Sequence, residues 1–437
     1  MSFISPNRAV ADCAGETVVP LMKNRVFAAG VVCLMALSGC DKSDSGGKSV
    51  GADSDLNFTE EIHNWPLFRG DAQMQGRSQE DLVGPLEMAW SYEPSVATAE
   101  AIAAAKATKT QTKLPKKRWP IEATPVIADG TVFVGSQDGR FFAINLDKGT
   151  EKWTFTAEGP ISGPGAVFGD HVFFGDTYGF IYALDATTGD EKWRYETNGQ
   201  IKGGVNAMPV DGKLTIFVGS EDNSLYAFDA TTGEKLWSHE TDNLIVSTPS
   251  IVASKQAIIF GGCDGLLHVI PATRDGKGEK TEIEIGSYIA NTSPVADGIA
   301  YIANNSGDIF AIDMESGETA WEVKTGNEFI SSPAVNDTHL FVGGPDKRLV
   351  AYDRVTGEEA WEFRARRSID SSPVVCKRAI WFGGMDARIY SINPEDGSEL
   401  WSYELGTQVK ASLAISAQTL VVCGDDGVVY AFRPEGL

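Results

Sequence analysis

The stretch Phe217–Trp237, FVGSEDNSLYAFDATTGEKLW, decides the fold. Phe217 to Ser220 alternate as a short strand, Asp222-Asn223 make a tight turn, Ser224 to Asp229 form a second strand, and a Thr-Gly turn leads to the apolar Trp237. Strand, Asp/Asn turn and strand make a β-hairpin, and the Trp begins a third strand. Near-copies begin at Phe133, Phe173, Ile259, Tyr301, Phe341, Trp381 and Val421, so the unit occurs eight times. With the residue aligned to Gly219 as register mark, the copies stand at 135, 175, 219, 261, 303, 343, 383 and 423, in steps of 40 to 44. A strand-rich repeat of that length predicts an all-β chain folded as an eight-bladed β-propeller, one four-stranded blade per repeat.

The ends of the repeat array predict how the ring closes. The eighth copy stops at Leu437 without its Trp strand, whereas Leu86, Met88, Trp90 and Tyr92 alternate on one face of a strand that precedes the first copy. The N-terminal strand around Trp90 is therefore expected to complete the last blade, because an open ring would expose two strand edges. Trp90, Trp153, Trp193, Trp237, Trp321, Trp361 and Trp401 each end a repeat, and two residues further on stand Tyr92, Phe155, Tyr195, His239, Val323, Phe363 and Tyr403. Each pair points to one side of its strand and can dock on the neighbouring blade. A buried Trp of this kind costs about 3–5 kcal/mol on truncation to Ala. Repeat four has no Trp and offers Ile283-Glu284-Ile285, so the softest seam is expected there. His239 reads as a packed side chain on this apolar face.

Two further patterns recur. Six repeats open with small residues ending in Pro, as in Ser247-Thr248-Pro249 and Ser331-Ser332-Pro333, where strands converging on an axis leave little room. Six hairpin turns carry Asp at one place (Asp138, Asp222, Asp264, Asp346, Asp386 and Asp426), which is turn chemistry that supplies positive φ.

Composition bounds the function. The 437 residues carry a formal charge of -23, which argues against nucleic acid as a partner, since phosphate binding needs a dense basic face. Of six cysteines, Cys13, Cys33 and Cys40 precede the repeats, and Cys263, Cys376 and Cys423 are spread through them with no CxxC spacing. Neither a disulfide framework nor a zinc site is indicated, and the three read as small buried residues.

The N-terminal region reads as an export leader, residues 1–39, with Met22 an alternative start. Lys23 and Arg25 precede an apolar run, Val26 to Ala36, too short to span a membrane. The tetrapeptide Leu37-Ser38-Gly39-Cys40 resembles the lipobox of bacterial lipoproteins, which implies lipidation of Cys40. Asp41 resembles the inner-membrane retention mark of enterobacterial lipoproteins, but Lys42 adds nothing to it, so both membranes stay open. Residues 41–62 are rich in Ser, Gly and Asp and read as a flexible tether to a domain at 63–437. Residues 94–120 form an insertion, Ala-rich and helix-favouring at first, then basic. Its Lys113, Lys116, Lys117 and Arg118 are the one local positive field, a candidate interaction loop for an acidic partner or anionic lipid.

The spans ALDATTGDEKW (183–193), AFDATTGEKLW (227–237), AIDMESGETAW (311–321) and AYDRVTGEEAW (351–361) resemble the tryptophan-docking motif AxDxxTGxxxW, and AINLDKGTEKW (143–153) and SINPEDGSELW (391–401) are looser copies. That motif belongs to the pyrroloquinoline-quinone-type repeats of quinoprotein dehydrogenases and of BamB-like outer-membrane assembly lipoproteins. The resemblance covers residues 64–437 and implies a propeller that serves either catalysts or scaffolds. Family catalysts carry a calcium or lanthanide beside the quinone, a catalytic Asp and usually an adjacent-cysteine disulfide. This chain has no adjacent cysteines, and Glu158, Asn198, Asp242, Asn291, Asn327, Glu328 and Asp370 of the inter-blade loops make no ligand trio at a known spacing. No catalytic, metal-binding or cofactor-binding residue is assigned. The resemblance points to a non-enzymatic, lipid-anchored scaffold in the bacterial cell envelope, BamB-like, facing the periplasm as a monomeric propeller, with envelope proteins as partners. Two alternatives stand beside it: a dehydrogenase using pyrroloquinoline quinone with calcium, and a ligand- or polysaccharide-binding propeller using the Ser- and Thr-lined axis.

Overall fold

The computed structural model describes residues 64–94, 96–97 and 116–436. Eight four-stranded antiparallel sheets follow one another along the chain. Blade one comprises Val126–Ala128, Thr131–Gly135, Arg140–Asn145 and Glu151–Thr156, and the next six repeat that order. The eighth is built from Ala414–Ser416, Thr419–Cys423 and Val429–Pro434 and takes Leu86–Tyr92 as its outer strand. Trp90 lies opposite Ala431 and Ser91 opposite Tyr430, so the two ends of the chain seal the ring as the sequence predicts.

The docking motif explains its own spacing. In each of the seven blades that carry the Trp, the register slips by one residue just before it. Such a bulge re-aims the indole out of the sheet plane and over the next blade. The bulge falls on Ala89 in blade eight and takes Met88 out of phase, so Met88 is exposed, contrary to the strict alternation read from the sequence. Each of six indoles donates its Nε1–H to a backbone carbonyl of the following blade, from Trp90 to Leu146 at 2.7 Å through Trp361 to Pro394 at 3.1 Å. Each also lies flat on the turn glycine of that blade. At Gly233, with φ of 71°, an added Cβ would come within 2.5 Å of the Trp193 ring. Trp401 has no such turn to cover and sits instead over Gly84.

Blade four departs from the sequence expectation in register. Ile283 pairs with Leu267, which places Thr281, not Ile283, where the other blades have Trp. Its outer strand starts later because the preceding connection runs from Pro271 to Thr281. Nothing lies within 4 Å of a Cβ built on Gly317, the turn glycine of blade five that such a Trp would cover. Thr281→Trp is therefore expected to fill an existing seat and raise stability by about 1–2 kcal/mol, read by thermal denaturation. A lowered melting temperature would show that the seat is not formed.

The register glycines have a separate cause. A Cβ on Gly135, Gly175, Gly219 or Gly261 would come within 2.3 Å of Ile161, Ile201, Ile245 or Ile289, the buried residue that pins each connection to the next blade. The turn aspartates behave as read. The residue after each one (Gly139, Asn223, Gly265, Lys347, Ala387 and Gly427) has positive φ, and the Asp222 carboxylate accepts Ser224 N–H at 3.2 Å.

Two sets of bonds tie the first strands of the blades together. Thr248, Thr292, Ser332, Ser372, Ser412 and Thr124 form an arc from blade three round to blade one in which each hydroxyl accepts a backbone N–H of the neighbouring blade at 2.7–3.1 Å. The small residues near the axis are thus circumferential ties. Further along the first strands, residues 64–80 wind round the channel and bond to every blade in turn. Trp65 exchanges two backbone hydrogen bonds with Ile127 at 2.8 and 2.7 Å. The carbonyls of Pro66, Ala72, Gln73, Gln75 and Gly76 accept from Val167, Ile251, Val295, Val335 and Val375 at 2.7–3.0 Å. Asn206 of blade three reaches Ala72 O at 2.8 Å, and the Glu80 carboxylate accepts Ala417 N–H of blade eight at 2.9 Å. Trp65, Leu67, Met74 and Leu82 are buried by this belt. So is Arg69, whose guanidinium donates to Pro333 O at 2.8 Å and whose pKa burial pushes down to about 9.

Candidate interaction face

Blade geometry gives the disc two different faces. One carries the turns between first and second and between third and fourth strands. The other carries the central hairpin turns and the connections from blade to blade; we call it the connection face. Its loops are tied down: the amides of Gln137, Thr177, Glu221, Cys263, Asn305, Met385 and Asp425 donate to carbonyls of the adjoining connection at 2.9–3.2 Å. The sixth blade has Pro345 at that place, which has no N–H to give.

On this braced surface stand five of the large apolar side chains left exposed: Trp119, Tyr178, Leu244, Tyr288 and Ile330. Among the described residues the other three are Val355 on the opposite face and Met88 and Leu400 on outer strands. Trp119 and Tyr178 flank a groove of about 560 Å³ that also touches Arg140, Thr156 and Glu158. Exposed Arg366 and Arg367 lie on the same face. Lys202 pairs with Glu221 at 2.7 Å, and Lys410 bridges Glu122 and Asp425, both at 3.1 Å. Burial works against the Lys410 charge, but the two carboxylates prevail and hold its pKa above the usual lysine range. Aromatic residues and arginine on a rigid, mixed-charge surface are the composition of protein-binding hot spots.

The quinone chemistry raised by the repeat motif needs a slot at the channel mouth and oxygen ligands around an ion. The hydroxyl arc at the axis is only 2–6% exposed and already engaged between blades. Glu158, Asn198, Asp242, Asn291, Asn327, Glu328 and Asp370 sit on six different connections. Glu158 pairs with Arg194 at 3.0 Å, and the Asn291 amide donates to Ala303 O at 2.8 Å. Among the described residues, the one trio of His, Cys, Asp or Glu side chains able to share an ion lies at a blade seam and includes none of these. The described residues do not fit the quinone and its ion.

The other residues singled out in the sequence fall in several places. Cys40, Lys113, the leader and the tether lie outside the described residues, as does most of the Ala-rich segment. Val96–Ala97 pairs with Lys116–Lys117 as a two-stranded hairpin, which brings Arg118 out beside Trp119, exposed on the connection face. The seven tryptophans are docking residues. Cys376 and Cys423 are buried free thiols, with burial pushing Cys376 up to about 12, but Cys263 is only partly buried because it lies in a hairpin turn of the connection face. Sequence reading missed the belt and the exposed apolar set. The signal for the latter was present: Leu244-Ile245, Tyr288-Ile289 and Phe329-Ile330 each place two apolar residues in a loop that needs only one to pin it.

Comparison with known proteins agrees with this architecture. The structure is similar to the quinohemoprotein alcohol dehydrogenase from Comamonas testosteroni, with TM-score 0.69 and 15% identity over 87% of this chain and 84% of that one. A europium-containing methanol dehydrogenase matches with TM-score 0.69 and 13% identity over 87% and 99%. BamB from Moraxella catarrhalis matches with TM-score 0.62 and 21% identity over 75% and 98%. At these identities the likeness is one of fold. No curated protein matches the sequence. A family model, described as outer membrane protein assembly factor BamB, matches residues 153–281 and 279–436. The chain therefore belongs to the BamB family of propellers.

Proposed function

We propose that this protein is a non-enzymatic scaffold of the bacterial cell envelope with a BamB-like role in outer-membrane protein assembly, tethered through lipidated Cys40 and holding partner proteins on its connection face. The observation that carries this reading is the gathering of Trp119, Tyr178, Leu244, Tyr288 and Ile330 on one hydrogen-bond-braced face. Affinity purification of the tagged full-length chain from membranes tests it. The scaffold reading expects outer-membrane assembly proteins in the eluate, and their absence above background counts against it.

Anchoring has its own test. Cys40→Ser is expected to move the protein from the membrane pellet to the soluble periplasmic fraction without changing its melting temperature, since a diacylated terminus supplies two chains of membrane affinity. Retention of the variant in the pellet would mean that the lipid is not what holds it.

The dehydrogenase reading is favoured only by shared fold. It requires that purified protein mixed with pyrroloquinoline quinone and calcium gain a quinone absorption band and oxidise alcohols or sugars with an artificial acceptor. The hydroxyls at the axis, tied between blades, likewise leave few free groups for a polysaccharide.

A further inference from the structure

At most seams the residue two past the Trp is an aromatic ring that meets a ring on the next blade. Phe155 faces Tyr182 with centroids 5.5 Å apart, Tyr195 faces Tyr226 at 6.1 Å, and Phe363 faces Tyr390 at 5.5 Å. At the seam between blades three and four both rings are imidazoles, His239 on the outer strand Lys235–Glu240 and His268 on Leu266–Pro271, 5.6 Å apart. Packing alone would be served by Tyr and Phe, as elsewhere in the ring. What imidazoles add is nitrogen lone pairs.

Those nitrogens are left over. His268 is 2% exposed; its Nε2 meets the Asp264 carboxylate at 2.9 Å, while its Nδ1 is buried without a hydrogen-bond partner. The same holds for His239 Nε2. Glu282, opposite His268 on the adjacent strand, brings a carboxylate oxygen to 3.7 Å from His268 Nδ1. One ring nitrogen from each histidine and this carboxylate all lie within 4.8 Å of one another.

We propose that His239, His268 and Glu282 form a binding site for a divalent transition-metal ion of borderline softness, zinc foremost, which clamps blade three to blade four. Two imidazoles and a carboxylate are a familiar zinc donor set, with the fourth position left to water at the exposed edge beside Glu282. Ligand atoms in a tetrahedral site stand about 3.3 Å apart, so the most distant pair needs to close by up to about 1.5 Å. Asp264 supplies the outer support that such sites use: holding Nε2–H of His268, it fixes the tautomer whose Nδ1 lone pair points at the ion. Lys280 Nζ lies 3.0 Å from His239 Nδ1 and is exposed, so it can swing out as the ion enters. The clamp lies on the seam between blades three and four, which Trp237 also covers.

Cobalt(II) titration of the chelator-treated full chain tests this. The site expects one equivalent bound, with the visible bands of a four-coordinate cobalt centre, displaced by zinc, and a rise in melting temperature with either ion. His239→Phe restores the ring found at the other seams, so it should fold normally and lose the one-equivalent binding. Glu282→Gln and Asp264→Asn should weaken binding by about tenfold to a hundredfold, and Lys280→Ala should tighten it by removing a competing charge. Absence of stoichiometric binding by the wild type at micromolar cobalt or zinc overturns the proposal. So does unchanged binding by folded His239→Phe, which would mark the metal as held elsewhere on the surface.

Discussion

A chain that begins at Pro94, without the belt and the closing strand, is expected to lose cooperative folding altogether. Three losses coincide. Blade eight loses the strand Leu86–Tyr92 and shows an open edge along Val429–Pro434. The Trp90 indole leaves its seat over Gly149, at a cost of about 3–5 kcal/mol for a truncation of that kind. Trp65, Leu67, Met74 and Leu82 leave the interior, and each alone would cost about 2–5 kcal/mol. Together these exceed the roughly 5–15 kcal/mol by which a domain is stable. A chain beginning at Asn64 keeps all of them and is expected to melt as the full protein does. Calorimetry of the two truncations decides the matter, and a cooperative transition from the shorter chain would mean that the ring closes without its N-terminal strand.

The second large effect concerns the connection face. Tyr288→Asp combined with Ile330→Asp is expected to weaken partner binding by about 2–4 kcal/mol, roughly thirtyfold to a thousandfold, as for the loss of interface hot spots. Both side chains are exposed, so the fold should not suffer. The matched control is Val355→Asp on the opposite face, which should leave binding unchanged. Comparable recovery of partners by all three proteins would place the docking surface elsewhere.

The propeller was legible in the sequence because its marks are local. The Thr-Gly turn, the Trp and the turn Asp each satisfy geometry within a few residues and recur at the same phase, and closure by Trp90 followed from counting strands. Register was less secure in blade four, where a longer connection moved the Trp position to Thr281 and nothing periodic announced it. Residues 64–80 were not legible as a belt, since their partners, from Ile127 to Gln418, are distributed over the whole chain and their own sequence has no alternation. The connection face was partly hidden for a different reason: one apolar residue in each loop is an anchor over a glycine, and only the structure separates Ile245 and Ile289, which are buried, from Leu244 and Tyr288, which are not. His239 read only as a packed side chain because a seam joins an outer strand to a strand 29 residues later, far outside the short ligand spacings of the familiar zinc motifs.

Cross-linking of lysines in intact membranes, followed by mass spectrometry, tests the docking account most directly. Lys202 and Lys347 lie on the connection face, and Lys148, Lys213 and Lys377 on the turns of the other. The account expects cross-links from Lys202 and Lys347 to outer-membrane assembly proteins and none from the other three. Cross-links confined to Lys148, Lys213 and Lys377, or an absence of envelope partners at any of the five, would contradict it.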